Sequence, residues 1–292
     1  MLHDGEIPID TQLVRGLISE QFPQWVHLSL TRIQSSGTVH AIYRLGDDLA
    51  IRLPRHPMFT SALDREIEIL PILGPLLDIP TPELVGVGTS TDAYPSSWSV
   101  VRWIEGETMA AAPATDAVAV AEALGEFVVS MRSLTIPGPI SANQRGRHLS
   151  DADTQTRAEI ETIHEHDTVH LTALWEEALR VPPWDGVKTW IHADLLPGNL
   201  LVDSHGLVAV IDFGECSIGN PETDLIAAWW VFDADARAMF RTASQADDDM
   251  WNRARGRALS GAVGAIAYYR DTNPAFAATA MRALRNVVTD SS

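Results

Sequence analysis

The sequence predicts an α+β fold with two lobes: a small β-rich lobe over residues 1–102 and a larger helical lobe over residues 103–292. The first observation is length, because 292 residues exceed what a single hydrophobic core usually holds. The second is a change of pattern at Glu105-Gly106, where short β-like runs give way to apolar residues at helical spacing. The third is composition, because 46% apolar residues can supply a core to each lobe.

The first lobe is predicted to hold a leading helix, a small sheet and one inserted helix. Asp10 precedes helical apolar spacing and can cap the first helix. A Ser-Ser-Gly-Thr turn and a Gly-Asp-Asp turn separate the first three β-like runs. The predicted helices are 10–22 and 61–73, and the predicted strands are 28–33, 40–45, 49–53, 82–88 and 97–104.

The second lobe is predicted to be mostly helical, with a small β insert in its middle. Helical apolar spacing recurs along most of it, and three short β-like runs interrupt the pattern. No internal repeat or low-complexity linker divides it further. The predicted helices are 115–134, 151–164, 168–180, 222–241, 247–270 and 274–288, and the predicted strands are 187–192, 199–202 and 207–211.

Composition also limits the classes of partner. A formal net charge of −18 argues against nucleic acid and anionic membranes, which are polyanions, but permits a cationic ligand. No apolar run reaches the roughly 18 residues that span a bilayer. The first ten residues, MLHDGEIPID, lack the basic and apolar regions of a secretory signal, and the single Cys216 suits a reducing compartment. We expect a cytoplasmic protein and leave its oligomeric state open.

The strongest chemical pattern lies between two β-like runs, in IHADLLPGNLLVD (191–203). It reads His-x-Asp-x-x-x-x-Asn, and Asp212-Phe213-Gly214 follows after the next β-like run. Phosphoryl transfer needs this set: an Asp to accept the proton of an attacking hydroxyl, and an Asn and an Asp to hold Mg²⁺ on nucleotide phosphates. Alone, Asp-x-x-x-x-Asn is usually a turn, and a lone buried His is more often a core residue.

With these motifs the chain resembles the aminoglycoside phosphotransferase family, small-molecule kinases with a protein-kinase-like fold. The resemblance runs from the Ser-Ser-Gly-Thr turn to the closing element Gly219-Asn-Pro-Glu-Thr-Asp-Leu225. It implies ATP or GTP as co-substrate and Mg²⁺ as cofactor. The roles it implies are Asp194 as catalytic base, His192 as a brace of the loop, Asn199 and Asp212 as metal ligands, and Asp224 as a structural acceptor for the loop backbone.

The resemblance also places the nucleotide in the first lobe. The turn that holds Ser36, Gly37 and Thr38 corresponds to the phosphate-covering loop, although such turns are mostly plain hairpin loops. The strand end that holds Val101 and Trp103 corresponds to the hinge whose backbone binds the purine. The alternative interpretation of this segment is that it is only the end of a strand, where the chain leaves the sheet.

One residue departs from the kinase-like pattern, because Arg52 stands on the third strand where a Lys is expected. Arg offers a planar fork of donors rather than a point charge. On the following helix, Leu63, Glu66, Ile67 and Leu70 share one face by their spacing. A carboxylate on an apolar face requires a cation. We therefore predict an ion pair between Arg52 and Glu66. Either Arg52 holds the phosphates, or no side chain at this place of the strand does.

The acceptor side is less determined by the sequence. The family's acidic residues on late helices correspond to Asp233 and Asp235, and Trp230 offers an apolar face to a sugar ring. Core packing for Trp230 is an equally good interpretation. We expect a small-molecule O-phosphotransferase whose hydroxyl acceptor is of the aminoglycoside type, and the net charge of −18 permits this acceptor to be cationic. A macrolide kinase, a metabolic kinase for another small alcohol and a nucleotide-binding pseudoenzyme stay as alternatives.

Overall fold

A computed structural model describes residues 5–33, 39–112, 114, 116–137, 145–146, 148–164 and 166–290. The chain divides into two compact units. The first comprises residues 1–106 and 209–215, and the second comprises residues 107–208 and 216–292. The short segment 209–215 therefore belongs to the first unit, although the chain around it belongs to the second.

The first unit is a five-stranded antiparallel sheet with two helices. Its strand order is β1-β2-β3-β5-β4. The Asp10 side chain accepts from the Leu13 N–H at 2.8 Å and begins the first helix, as its position in the sequence predicts. The elements are α1 (Thr11–Gln21), β1 (Leu30–Ile33), β2 (His40–Leu45), β3 (Leu49–Pro54), α2 (Thr60–Leu73), β4 (Leu84–Gly88) and β5 (Trp98–Arg102).

The central strand β3 positions the most important cation of this unit. All six of its residues are buried, as expected for a strand with neighbours on both edges. The β2–β3 hairpin pairs Leu45 with Leu49 and Ile42 with Arg52. Side chains alternate along a strand, so His40, two residues from Ile42, lies on the same face as Arg52.

The second unit combines helices with short strands. β6 pairs with β8, β10 pairs with β7, and β9 completes the sheet of β6 and β8. The strands are β6 (Glu107–Thr108), β7 (Thr189–Ile191), β8 (Leu200–Asp203), β9 (Gly206–Val210) and β10 (Ser217–Gly219). The helices are α3 (Ala117–Ser133), α4 (Asp153–Ile160), α5 (Thr168–Arg180), α6 (Ala227–Trp230), α7 (Ala234–Ala243), α8 (Asp248–Tyr269) and α9 (Pro274–Thr289).

The helix predicted over residues 222–241 is wrong as a single element. A 3₁₀ helix (Pro221–Ile226) leads into the short α6, and α7 begins only after a break. The break has a local cause, because Asp233 is extended and its side chain accepts from the Ala236 N–H at 3.1 Å. Asp competes for backbone donors in this way and starts a new helix. The two- and three-residue strands β6 and β10 were not predicted, since so few residues show no alternation.

The long helix α8 forms the centre of the second unit. It is buried along one face against α5 and α9, through small residues such as Ala258 and Ala262. A Cβ on Gly256 would lie 2.3 Å from the Ala178 Cβ, so only glycine permits this approach of α5 and α8. Among the described residues, no helix has both the length and the apolar character needed to cross a membrane.

Candidate active site

In the first unit, the predicted ion pair between Arg52 and Glu66 is present. Arg52 Nη1 lies 2.5 Å from Glu66 Oε1, and both side chains are buried. Glu66 reaches this position because the face of α2 that carries it also carries buried Leu63 and Leu70. Glu68, on the opposite side of the helix, is exposed. The sequence pattern thus identified the one carboxylate of this helix that lies inside.

Asp212 joins this pair through the segment 209–215. Its Oδ1 lies 3.4 Å from Arg52 Nη2, and its side chain is 28% exposed. The following Phe213 N–H donates to Glu66 Oε1 at 3.4 Å. Burial alone lowers the pKa of Arg52, but the charges of Glu66 and Asp212 outweigh it and raise this pKa above its ordinary value. Arg52 is therefore a permanent cation held between two carboxylates.

A residue outside the predicted set, His40, also contacts Arg52. His40 Nδ1 lies 3.4 Å from Arg52 Nη2. Burial, followed by the charges of Arg52 and Arg55, holds the pKa of His40 well below its ordinary value, so its ring stays neutral. Its Nε2 has no hydrogen-bond partner among the residues that the structure describes. The hairpin register was the sequence signal that could have placed His40 beside Arg52.

The predicted hinge lies at the end of β5. Val101 is buried and paired on both sides, with Ala50 of β3 and Leu84 of β4. The Trp103 N–H donates to the Asp48 carbonyl at 2.8 Å. That N–H is thus already engaged in the fold, and purine binding by the backbone of Val101 and Trp103 stays a prediction.

In the second unit, the predicted catalytic loop leaves β7 and enters β8 through a 3₁₀ turn (Pro197–Asn199). Asn199 Nδ2 donates to the Asp194 carbonyl at 2.8 Å and to Asp194 Oδ2 at 3.0 Å. His192 is fully buried, and its Nδ1 accepts from the Asp194 N–H at 3.3 Å. The spacing of the motif therefore brings His192, Asp194 and Asn199 into one hydrogen-bonded loop.

Asp224 supports this loop from the 3₁₀ helix Pro221–Ile226. Its two carboxylate oxygens accept from the His192 N–H at 2.8 Å and the Ala193 N–H at 2.7 Å, the contact expected of a structural acceptor. Burial raises the pKa of the Asp224 carboxyl, although His192 and these N–H donors oppose the shift. Ala193 has a φ of 65°, which is strained for a residue with a Cβ. The loop is thus bent tightly around a buried carboxylate.

A further cation that the sequence did not indicate contacts the predicted base. Arg145 Nη1 donates to Asp194 Oδ1 and, at 3.1 Å, to the Ala193 carbonyl. Arg145 lies 49 residues before Asp194 in the chain, and no spacing rule relates the two. No feature of the sequence could have pointed to this contact.

The other residues predicted to bind the nucleotide phosphates or the acceptor differ in their surroundings. Ser36, Gly37 and Thr38 are outside the described residues. Trp230 is 3% exposed and packs against Phe276 with ring centroids 6.0 Å apart. Asp233 caps α7, and Asp235 is exposed in its first turn. These positions do not test a role in acceptor binding.

The donor chemistry of the two predicted metal ligands fits Mg²⁺. Asp212 belongs to the first unit and Asn199 to the second, and each offers a hard oxygen donor. Within the described residues, no group of three or more His, Cys, Asp or Glu side chains could hold a metal ion. An ion at these residues would depend on nucleotide phosphate and water for its other ligands, as Mg²⁺ commonly does.

Several known structures resemble this chain in fold. Aminoglycoside 2'-phosphotransferase-IIIa in its GDP complex is 18% identical over 96% of this chain and 99% of its own, with a TM-score of 0.75. The GDP and kanamycin complex of APH(2")-IIIa is 18% identical over 96% and 99%, with a TM-score of 0.73. Macrolide 2'-phosphotransferase MphH from Brachybacterium faecium is 20% identical over 95% and 98%, with a TM-score of 0.66.

These likenesses confirm the predicted α+β, protein-kinase-like fold. A search of the curated proteins gives no match. The family comparison is more specific, because residues 30–259 match the phosphotransferase enzyme family (APH). This stretch contains the Arg52 ion pair, the catalytic loop, Asp212 and Asp224. The chain therefore belongs to the phosphotransferase enzyme family.

Proposed function

We propose that this phosphotransferase moves the γ-phosphoryl group of ATP or GTP to a hydroxyl of a small molecule, and that Asp194 is its catalytic base. The observation that carries the proposal is the catalytic loop. Asn199 holds the Asp194 carboxylate, and Asp224 holds the backbone on both sides of the bend. A carboxylate fixed in this way can receive a proton without prior rearrangement, which is the main demand of phosphoryl transfer.

The reaction follows from these positions. The acceptor oxygen attacks the γ-phosphorus, its proton passes to Asp194, and the bond between the γ-phosphorus and the bridging oxygen breaks to release the nucleoside diphosphate. Arg52, kept charged by Glu66 and Asp212, neutralises phosphate oxygens of the nucleotide. Mg²⁺ at Asn199 and Asp212 would neutralise the remaining phosphate charge. Ser36, Gly37 and Thr38 would cover the phosphates, and the strand end at Val101 and Trp103 would receive the purine.

For the acceptor, we propose an aminoglycoside-type antibiotic, which would make the protein a cytoplasmic resistance enzyme. The support is the likeness to a kanamycin-bound relative and the net charge of −18, which favours polycations. Asp233, Asp235 and Trp230 are the residues proposed to contact it. The likeness to a macrolide phosphotransferase supports a macrolide as the second candidate.

An acceptor panel tests this proposal. Purified protein with Mg²⁺ and ATP or GTP is incubated with aminoglycosides, macrolides and small alcohols, and nucleoside diphosphate and phosphorylated product are measured. Asp194→Ala should lose at least about 10²-fold in kcat, since general-base help is typically worth that much. Asp271→Asn, at an exposed carboxylate in the turn after α8, is the control and should be unchanged. Full activity of Asp194→Ala, or no product with any acceptor, would contradict the proposal.

A further inference from the structure

Both oxygens of the proposed catalytic base have a hydrogen-bond donor. Asp194 Oδ2 accepts from Asn199 Nδ2 at 3.0 Å, and Asp194 Oδ1 accepts from Arg145 Nη1. Asn199 belongs to the same loop, five residues away. Arg145 comes from a separate stretch of the same unit, 49 residues earlier in the chain. The two donors therefore differ in origin: Asn199 is part of the catalytic loop, and Arg145 comes from outside it.

A base must place an oxygen within hydrogen-bond reach of the proton that it removes, about 2.6–3.2 Å between heavy atoms. An attacking hydroxyl thus has to share or replace one of the two donors. Each donor has a second bond to the loop backbone, Asn199 to the Asp194 carbonyl and Arg145 to the Ala193 carbonyl at 3.1 Å. The two differ in exposure, because the Arg145 side chain is 46% exposed and Asn199 is only partly exposed. Water can replace the bonds of an exposed guanidinium, so Arg145 is the donor that leaves at the lower cost.

The backbone of Arg145 is fixed while its side chain reaches toward solvent. Its carbonyl accepts from Arg257 Nη1 at 2.7 Å and from Thr223 Oγ1 at 3.4 Å. Arg257 is in turn paired with Glu222, whose side chain is 1% exposed, at 3.6 Å. A long side chain on an anchored backbone can leave the carboxylate and return to it without any change of the fold.

We propose that Arg145 is a specificity-determining residue that selects an organic hydroxyl over water as phosphoryl acceptor. The inference rests on the proposed function of Asp194. In the absence of acceptor, the guanidinium occupies Oδ1 and keeps a water from being deprotonated there. An acceptor gains further contacts with the protein, and their binding free energy displaces the guanidinium. Water has no such contacts and cannot displace it.

The reaction that Arg145 suppresses is nucleotide hydrolysis. In it, a water oxygen attacks the γ-phosphorus, the water proton passes to Asp194, and the bond to the bridging oxygen breaks to give nucleoside diphosphate and inorganic phosphate. The same chemical step serves both acceptors. Access to the base is a step at which the two acceptors can be distinguished, and the Arg145 guanidinium occupies an oxygen of that base.

Arg145→Ala tests the proposal through the ratio of two rates: inorganic phosphate release without acceptor, and phosphorylation of an acceptor found in the panel. We expect this ratio to rise by about fivefold, ~1 kcal/mol, the upper value for a partly exposed ion pair. The KM for the acceptor should fall because nothing has to be displaced. Arg145→Lys keeps the charge and should restore a ratio near that of the wild type.

Arg157→Ala is the matched control, because Arg157 is 38% exposed and is also ion-paired, with Asp153. Its ratio should equal that of the wild type. An unchanged ratio in Arg145→Ala, or a proportional fall of both rates, would overturn the inference and leave the proposed function standing. No nucleotide turnover by the wild type with any acceptor would overturn both. If Arg145→Ala fails to fold, Arg145→Gln, a shorter and neutral side chain that keeps an amide donor, decides by the same ratio.

Discussion

At the scale of single residues, Arg52 shows how an arginine can stand where kinase-like folds place a lysine. Its two terminal nitrogens divide between partners: Nη1 reaches Glu66, and Nη2 lies near both Asp212 and His40. The planar guanidinium offers donors in fixed directions, whereas a lysine ammonium is a compact point charge. The surroundings of Arg52 thus suit the two terminal nitrogens of a guanidinium. A lysine at this position would leave one of the two carboxylates without its partner.

Removal of Arg52 should affect both binding and stability. Arg52→Ala leaves Glu66 buried without its cation, so we expect a loss of about 3–5 kcal/mol in the free energy of unfolding. We also expect a raised KM for the nucleotide with a smaller effect on the acceptor KM. Arg52→Lys should lie between, because it retains the charge but not the fork. Denaturant unfolding and initial rates at varied nucleotide concentration measure the two effects.

The control for this prediction is another arginine of the same sheet. Arg102 of β5 is 53% exposed, and its nitrogen lies 3.7 Å from Glu83. Arg102→Ala should change stability by less than about 1 kcal/mol, as exposed ion pairs do. An unchanged nucleotide KM in Arg52→Ala would refute the assignment of Arg52 to the phosphates. An unchanged free energy of unfolding would refute the structural importance of its ion pair.

At the scale of elements, the loop between β7 and β8 combines strain with strong hydrogen bonds. Ala193, at a φ of 65°, turns its N–H toward Asp224. A left-handed backbone costs a residue with a Cβ of order 1–3 kcal/mol and persists only where the surroundings enforce it. Here the two carboxylate oxygens of Asp224 enforce it. The strain sits one residue before the proposed base and fixes the direction of the Asp194 side chain.

Ala193→Gly should relieve this strain. Glycine adopts positive φ freely but loses more conformational freedom on folding, so we expect a net gain of up to about 1 kcal/mol in the free energy of unfolding. Ala238→Gly, at an exposed position within α7, should change stability in the opposite direction, by a loss of about 1 kcal/mol. Urea unfolding of the two variants beside the wild type measures both signs. A loss of stability in Ala193→Gly would show that the bend carries no strain.

The elements that the sequence predicted best are those whose pattern is local. The face of α2 that carries Glu66 follows from helical spacing, and the catalytic loop follows from a motif of fixed spacing. The break before α7 was missed because Asp233 fits a helical pattern equally well as an interior or a capping residue. Arg145 was missed for a different reason. Its contact with Asp194 depends on long-range packing, which leaves no periodic signal in the sequence.

At the scale of the whole molecule, the fold is retained in relatives that share only 18–20% of their residues with this chain. In each unit a buried carboxylate organises the proposed site: Glu66 in the first and Asp224 in the second. Buried titratable groups of this kind link the stability of the whole chain to pH. His40 offers the clearest case, because burial, followed by the charges of Arg52 and Arg55, lowers its pKa.

The sign of the His40 effect follows from proton counts. Above about pH 6.5, the ordinary pKa of histidine, the ring is neutral in both folded and unfolded chains, and His40 contributes no pH dependence. Below that pH, His40 binds a proton in the unfolded chain but stays neutral in the folded chain. The free energy of unfolding therefore falls as the pH falls. The decline continues until the lowered pKa of the folded state is reached, with a slope of at most about 1.4 kcal/mol per pH unit.

His40→Asn isolates this effect, since every other titrating group is common to both proteins. We expect the stability difference between wild type and His40→Asn to be constant from about pH 7 to pH 8. Below about pH 6.5, the free energy of unfolding of the wild type should fall steadily relative to that of His40→Asn. His205→Asn is the control, because it replaces an exposed histidine in the turn between β8 and β9. Urea unfolding at half-unit steps of pH measures the differences. A constant difference for His40→Asn down to pH 5 would mean that the folded protein protonates His40 as readily as the unfolded chain does, and that neither burial nor the charge of Arg52 opposes its protonation.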